Sequence, residues 1–309
     1  MRRRCCIACL ALLAIAAPEI APADDSGNSL TPRRSAPDQS RLSRIRFDVN
    51  LVLIPVTVTD PYERLIQDLQ KNDFRVFEDS IEQQITQFFR DDSPVSVGLI
   101  LDASNSMRSK LIESRKAIME FLKLTSPGDE FFLLTFNDRP EMTTRFTTSL
   151  NEIENTLPSI QARGWTSLYD AVYLGISQIR RASHRRKVLL VFSDGNDNDS
   201  RYTKRELTEM VKEADVRIFA ISILDRSRSL EELCEESGGR AYRVRKLDQL
   251  PALAARISEE LHSEYVLGYV PMVTDRDGKY RHIRVQLAKP PTDQLLHVSW
   301  RHGYYSPVE

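Results

Sequence analysis

One stretch decides the fold of this 309-residue chain: Val95-Ser-Val-Gly-Leu-Ile-Leu-Asp-Ala-Ser-Asn-Ser106. Its first seven residues are uncharged and mostly apolar, which is typical of a strand that is covered on both faces. The strand ends at Asp102, and the apolar residues from Met107 to Leu122 recur at helical spacing. A buried strand that leads into an amphipathic helix is the repeating unit of an α/β sheet.

The same alternation continues outward to about residue 262. We predict further strands at 131–136, 142–146, 187–193, 216–224 and 241–244, and helices at 166–179, 204–214 and 247–262. The pattern predicts the fold class of the central domain, residues 93–263: an α/β domain with a doubly wound, mostly parallel sheet.

Short β segments flank this domain at 45–92 and 264–309. Strands are predicted near 47–59, 74–77, 84–89, 265–270, 280–287 and 295–300. The turn-prone residues 275–278 predict a hairpin-type connection. Because neither flank alone has enough strands to be stable in water, we predict that the two flanks pair into a small β-sandwich.

The first 23 residues have the order of a secretory signal peptide. Arginines at 2–4 precede an apolar run at 5–17, and Ala21-Pro-Ala23 supplies small residues before Asp24. The run is shorter than the roughly 20 residues that cross a bilayer. Residues 24–44 are predicted to be a flexible linker. We therefore expect an exported protein, periplasmic or secreted, that touches a membrane only if its leader stays uncleaved.

Composition argues against several other classes of function. The 43 basic and 44 acidic side chains give a formal net charge of −1, so nothing indicates nucleic acid as a partner. The five histidines lack the spacing of zinc ligands, and the sequence contains neither a glycine-rich phosphate loop nor a Ser-His-Asp order. Cys234 is the one cysteine after the predicted leader, so no internal disulfide is expected.

Hydroxyl and carboxylate side chains follow the predicted strands at three places. Asp102, Ser104 and Ser106 form the first loop, Thr166 follows Gly164 and Trp165 in the second, and Asp194 follows Ser193 in the third. The loops at the carboxyl ends of strands in an α/β sheet converge, so these side chains are expected to meet. Their hard oxygen atoms suit Mg²⁺, Mn²⁺ or Ca²⁺ better than softer metals.

Each of these residues also has a purely structural interpretation. Asp102, Ser104 and Thr166 could be helix caps, and Ser167 with Asp170 has the spacing of a capping box. Asp194-Gly195 could be a simple turn. The neighbouring Asp197 and Asp199 are expected to lie in a solvated loop and not to form a second metal site.

The Asp-x-Ser-x-Ser, Thr and Asp pattern resembles the metal-ion-dependent adhesion site of von Willebrand factor A domains, over about residues 95–262. The resemblance implies a Rossmann-like fold in which Ser104 and Ser106 coordinate a divalent cation directly. It implies that Asp102 and Asp194 often act through water and that Thr166 joins the shell when a ligand binds. One coordination position is left open for a Glu or Asp carboxylate of a protein or peptide partner.

The flanks carry a second resemblance of lower specificity. The stretches Val56-Thr-Val-Thr-Asp60, Asp73-Phe-Arg-Val-Phe-Glu-Asp79 and Arg301-His-Gly-Tyr-Tyr305 are similar to exported von Willebrand factor A-related proteins typical of acidobacterial genomes. This likeness implies an architecture and says little about activity.

The sequence therefore favours a non-enzymatic, cation-dependent protein-binding or adhesion module outside the cytoplasm. The alternative is an envelope scaffold that assembles through its β flanks and holds a structural metal. A metal-assisted hydrolase would need a general base near the cation, and the three loops offer neither His nor Glu for that role.

Overall fold

A computed structural model describes residues 51–195, 197–224, 227–288 and 296–308. The predicted signal peptide (1–23), the predicted linker (24–44) and the first residues of the N-terminal β segment lie outside these ranges. Within the described part of the chain, no helix is long and apolar enough to cross a membrane.

Strands and helices alternate through the centre of the described chain, and strands alone occupy its two ends. The strands are β1 (Val52–Thr59), β2 (Phe74–Glu78), β3 (Ile81–Gln83), β4 (Ile85–Asp91), β5 (Val95–Asp102), β6 (Glu130–Phe136), β7 (Pro140–Thr147), β8 (Arg186–Ser193), β9 (Arg217–Ile223), β10 (Ala241–Val244), β11 (Glu264–Tyr269), β12 (Tyr280–Leu287), β13 (His297–Trp300) and β14 (Gly303–Tyr305). The helices are α1 (Leu111–Lys123), α2 (Leu150–Thr156), α3 (Leu168–Ile179), α4 (Lys204–Glu213), α5 (Arg228–Ser237) and α6 (Leu250–Leu261).

The central sheet has the order β10-β9-β8-β5-β6-β7 and is parallel except for β7 at its edge. All eight residues of β5 are buried, as the uncharged run predicted. Leu99 and Leu101 face a core formed with α1, α2 and α6, whereas Ile100 faces a second core formed with α3, α4 and α5. The prediction of a doubly wound, mostly parallel sheet is confirmed.

The two flanks pair with each other, as predicted. One sheet has the order β13-β1-β11-β4, and the other has the order β14-β12-β2-β3. Both sheets therefore combine N-terminal and C-terminal strands, with Ile54 opposite Leu267 in the first and Val76 opposite Val285 in the second. These four side chains belong to one apolar core between the sheets, which makes the flanks a β-sandwich. The exact domain boundaries stay predictions.

The predicted hairpin at 275–278 is wrong. Strands β11 and β12, on either side of it, lie in different sheets of the sandwich, so the connection carries the chain from one sheet to the other. Gly278 still has the left-handed backbone of a tight turn, with φ of 68°. The prediction of a turn at Gly278 was therefore correct, whereas the prediction that β11 and β12 pair with each other was wrong.

Buried charges join the sandwich to the central sheet. Arg217, at the start of β9, donates a hydrogen bond to Glu264, at the start of β11. The second oxygen of Glu264 lies 3.4 Å from a guanidinium nitrogen of Arg186. Arg186 and Arg217 lie at the amino ends of the parallel strands β8 and β9. The predicted loops follow the carboxyl ends of the parallel strands, at the opposite edge of the sheet.

Candidate metal centre

Asp102 is fully buried at the carboxyl end of β5. Its Oδ1 accepts the Ser104 N–H at 2.9 Å, and its Oδ2 accepts the Ser193 hydroxyl at 2.6 Å. Burial raises the pKa of Asp102 to about 6 against the opposing effect of these hydrogen bonds, and the charge of Asp194 acts in the same direction as burial. The side chain thus lies close to a second carboxylate, in a dry position where positive charge would stabilise it.

Ser104 and Ser106 bring their hydroxyl oxygens to 3.0 Å from each other. Ser104 is buried and Ser106 is exposed, so the pair runs from the interior to the surface. Adjacent ligands of an octahedral Mg²⁺, with bonds of about 2.1 Å, lie about 3.0 Å apart. The spacing of these two hydroxyls therefore fits two neighbouring positions of one coordination shell.

Asp194 follows directly after β8 and is almost completely buried. Its Oδ2 accepts a hydrogen bond from the Lys110 ammonium at 3.0 Å. Among the described residues, no group donates a hydrogen bond to its Oδ1, although that atom is inaccessible to solvent. A buried carboxylate oxygen without a donor is costly, and such an atom calls for an ion or an ordered water.

Thr166 is buried at the second loop, which backbone hydrogen bonds join to the first loop. Arg163 N–H donates to the Ala103 carbonyl at 2.8 Å, and Asn105 N–H donates to the Gly164 carbonyl at 3.1 Å. On the other side, Thr166 N–H donates to Asn198 Oδ1 at 2.9 Å. The structure therefore brings the three predicted loops together at one edge of the sheet.

The capping explanations do not hold for the serines. Ser104 precedes a short 3-10 turn at Asn105–Met107, and Ser167 precedes α3, yet neither side chain makes a capping hydrogen bond. Asp170 accepts the N–H groups of Arg201 and Tyr202 from the third loop instead of closing a capping box. The Ser104 hydroxyl instead lies 3.0 Å from the Ser106 hydroxyl, and a side-chain hydrogen bond from Ser104 acts to lower the pKa of Asp102.

Asp197 differs from the expectation of a fully solvated position. Asp197 is half-buried, and its Oδ1 accepts the Tyr169 N–H at 3.2 Å and the Ser200 hydroxyl at 2.5 Å. Asp199 is exposed, in agreement with the expectation. Asp197 therefore joins the third loop to the first turn of α3. Thr166 lies just before the N-terminus of the same helix.

The oxygen atoms at this edge fit a hard divalent cation. They comprise two buried carboxylates, one of which has an unpartnered oxygen, and two hydroxyls at ligand spacing. In the described part of the chain, no group of three or more His, Cys, Asp or Glu side chains is arranged to hold a metal ion. The candidate centre is accordingly a mixed carboxylate and hydroxyl site.

Three residues that contact the candidate site residues were not predicted from the sequence. Lys110 pairs with Asp194, Ser193 donates to Asp102, and Asn198 accepts the Thr166 N–H. Ser193 and Asn198 lie within four residues of Asp194, so their proximity was visible in the sequence. The burial of Lys110 could not be predicted from the sequence, because a lysine beside a helix start is usually exposed. In the structure this residue is 8% exposed.

Comparisons with known proteins agree with the fold. The von Willebrand factor type A domain model matches residues 96–256. The inter-alpha-trypsin inhibitor heavy chain H4 of Bos taurus is 25% identical over 169 residues, which cover 49% of this chain and 18% of that relative. The human heavy chain H4 matches to the same extent. This chain therefore spans less than a fifth of the length of these curated relatives.

Solved structures resemble the chain at low identity. A von Willebrand factor type A protein from Catenulispora acidiphila has a TM-score of 0.51 and 11% identity, covering 82% of this chain and 73% of its own. BatB from Bacteroides thetaiotaomicron has a TM-score of 0.45 and 16% identity, covering 54% of this chain and 98% of its own. The predicted likeness to acidobacterial proteins stays a prediction. Since the domain model covers just over half of the sequence, the chain belongs to the von Willebrand factor type A domain family.

Proposed function

We propose that this protein is an exported, non-enzymatic binding module that holds Mg²⁺, Mn²⁺ or Ca²⁺ and recognises a Glu or Asp side chain of a protein partner. Domains of this family commonly bind a divalent metal and commonly mediate protein–protein interactions. The proposal assigns both properties to the loops at the carboxyl end of the sheet and places the protein in the periplasm or outside the cell.

The observation that carries this proposal is the unpartnered Oδ1 of Asp194. An ionised oxygen that is buried without a donor destabilises the fold unless a positive charge or a water compensates it. The hydroxyls of Ser104 and Ser106 would supply direct ligands to a cation at this edge, with Asp102 and Asp194 holding it directly or through water. Thr166 would complete the set when the partner binds.

The balance of buried charge favours an acidic partner. Asp102 and Asp194 carry two negative charges, and the Lys110 ammonium that contacts Asp194 carries one positive charge, so the buried set has a net charge of −1. A bound divalent cation supplies a positive centre and changes that net charge to +1. A partner carboxylate restores neutrality, and the interaction is strong because the surroundings are partly dry.

Calorimetric titration of the full chain with Mn²⁺ and with Mg²⁺ tests the metal site. We expect Asp194→Asn and Ser104→Ala to weaken cation binding by about 10- to 100-fold. Asp199→Asn is the matched control, because it removes one exposed carboxylate from the same loop as Asp194. Unchanged affinity in both site variants, with folding verified by circular dichroism, would overturn the proposed centre.

Capture of partners from the native cell envelope separates this function from the scaffold alternative. Loss of captured proteins in chelator, and in Asp194→Asn, supports a cation-dependent binding module. Retention in chelator supports a scaffold that assembles through its sandwich. Fractionation of the native cells tests export, since the proposal expects the mature chain outside the cytoplasm.

A further inference from the structure

Trp165 has an unusual position for a tryptophan, immediately before Thr166 and 66% exposed. The other tryptophan of the chain, Trp300, is half-buried, and its indole N–H donates to the Ile283 carbonyl at 2.9 Å. A large aromatic ring that is exposed to water does not contribute the free energy that its burial would provide. Tryptophan is also enriched among the residues that dominate binding surfaces. Trp165 is thus a candidate contact for whatever approaches the metal centre.

The backbone at Trp165 is firmly held. Its N–H donates to Asp138 Oδ1 at 2.6 Å. The preceding Gly164 has φ of 73°, and a Cβ atom at this position would lie 2.5 Å from the same carboxylate oxygen. The left-handed backbone favours glycine at this position, and the hydrogen bond to Asp138 holds the backbone from which the exposed ring projects.

A second apolar side chain is exposed near the carboxyl end of the neighbouring strand. Leu224 follows β9, is 37% exposed and has φ of 71°. Left-handed backbone is rare for a bulky apolar residue, and such strained positions are enriched at binding and active sites. Leu224 N–H donates to the Val244 carbonyl at 2.9 Å, which fixes the position.

Trp165 and Leu224 lie on opposite sides of the metal centre. The strand order places β9, β8, β5 and β6 side by side, and Asp194 and Asp102 end the two middle strands. The backbone N–H of Trp165 donates a hydrogen bond to Asp138, which follows β6. On the other side, the hydroxyl of Ser227, which precedes α5, donates to the carbonyl of Gly195, the residue after Asp194, at 2.8 Å.

We propose that Trp165 and Leu224 select the partner: a protein segment whose acidic side chain is flanked on both sides by apolar side chains. The inference rests on the proposed function and names the class of segment that the site takes. The positive charge of the loaded centre attracts the carboxylate, and the two apolar contacts bury its neighbours. Serine in place of the apolar neighbours removes that burial and weakens binding.

The test uses the full chain loaded with Mn²⁺ and three blocked pentapeptides, Gly-Leu-Glu-Leu-Gly, Gly-Ser-Glu-Ser-Gly and Gly-Leu-Gln-Leu-Gly. We expect the first peptide to bind about tenfold more tightly than the second, and the third to bind weakly. Trp165→Ala and Leu224→Gly should each reduce the difference between the first two peptides. In a Trp300→Phe background, the fluorescence of Trp165 should change when the first peptide binds.

The controls keep this inference separate from the proposed function. Tyr62→Ala removes an aromatic ring that is 73% exposed in the sandwich, and it should leave peptide binding unchanged. Mn²⁺ affinity should be the same in Trp165→Ala as in the parent, so failure to bind Mn²⁺ at all is a failure of the metal centre. Normal Mn²⁺ binding with equal affinities for the first two peptides, or with binding of neither, would overturn the selection by Trp165 and Leu224.

Discussion

Both ends of the central sheet contain buried carboxylates, and the two ends differ in how many hydrogen bonds these carboxylates accept. At the amino end, Asp129 accepts hydrogen bonds from the N–H groups of Val95 at 2.9 Å and Ser126 at 2.8 Å, and its Oδ2 lies 3.1 Å from His262 Nε2. At the carboxyl end, Asp194 accepts a hydrogen bond from Lys110, and its buried Oδ1 has no donor among the residues that the structure describes.

The pKa values of Asp129 and Asp102, a buried carboxyl group at each end of the sheet, also differ in direction. Burial acts to raise the pKa of Asp129, but hydrogen bonds from His262, Val95 and Ser126 together hold it below its usual range. At the carboxyl end, burial prevails and raises the pKa of Asp102 to about 6. The hydrogen bonds of Asp129 outweigh its burial and hold the amino end of the sheet together. The carboxyl end places Asp102, with its raised pKa, close to Asp194 and its unpartnered Oδ1, and a cation would stabilise that arrangement.

The largest expected effect is on the free energy of unfolding at the amino end. Asp129→Ala leaves two buried N–H groups and His262 without their acceptor, so we expect a loss of about 3–5 kcal/mol. Urea unfolding of the full chain measures it. Asp199→Ala removes an exposed carboxylate and should change the unfolding free energy by less than about 0.5 kcal/mol. Similar losses in the two variants would contradict a structural role for Asp129.

At the carboxyl end, the next largest effect is an increase in cation affinity. Lys110→Met removes the ammonium that lies 3.0 Å from Asp194 Oδ2 and that repels a divalent cation. We expect Mn²⁺ to bind about tenfold more tightly, which equals about 1.4 kcal/mol. Lys116→Met is the matched control, because Lys116 is exposed and pairs with Glu113 on the same helix. Weaker Mn²⁺ binding in Lys110→Met would show that the lysine supports the site.

Sequence patterns were sufficient for the parallel sheet and for the convergence of the three loops. The uncharged run before Asp102 is typical of a strand covered on both faces, and the loops at the carboxyl ends of parallel strands meet at one edge of the sheet. The contact between Lys110 and Asp194 was not predictable, because the burial of a lysine depends on a carboxylate that is distant in the sequence. The short helix α2 (Leu150–Thr156) and the final strand β14 were missed because their few residues carry too little periodicity.

The smallest predicted effect concerns pH at the amino end. The hydrogen bond to Asp129 raises the pKa of His262 against the opposing effect of burial. Stability from a raised histidine pKa is fully present below the unfolded value of about 6.5 and is lost as the pH rises through the folded value. The lowered pKa of Asp129 adds stability that is present above about 3.9 and is lost as the pH falls through its folded value.

The pair should therefore contribute most between these limits, near pH 5 to 6. We expect His262→Gln to lower the unfolding free energy by about 1 kcal/mol near pH 5.5 and by less near pH 9, where the parent histidine is neutral. His282→Gln is the control, since that imidazole is largely exposed on the sandwich. Urea unfolding at the two pH values measures the difference. An equal loss of unfolding free energy at the two pH values would mean that His262 stabilises the fold by packing alone. The low pKa of Asp129 would then result from the backbone N–H groups of Val95 and Ser126.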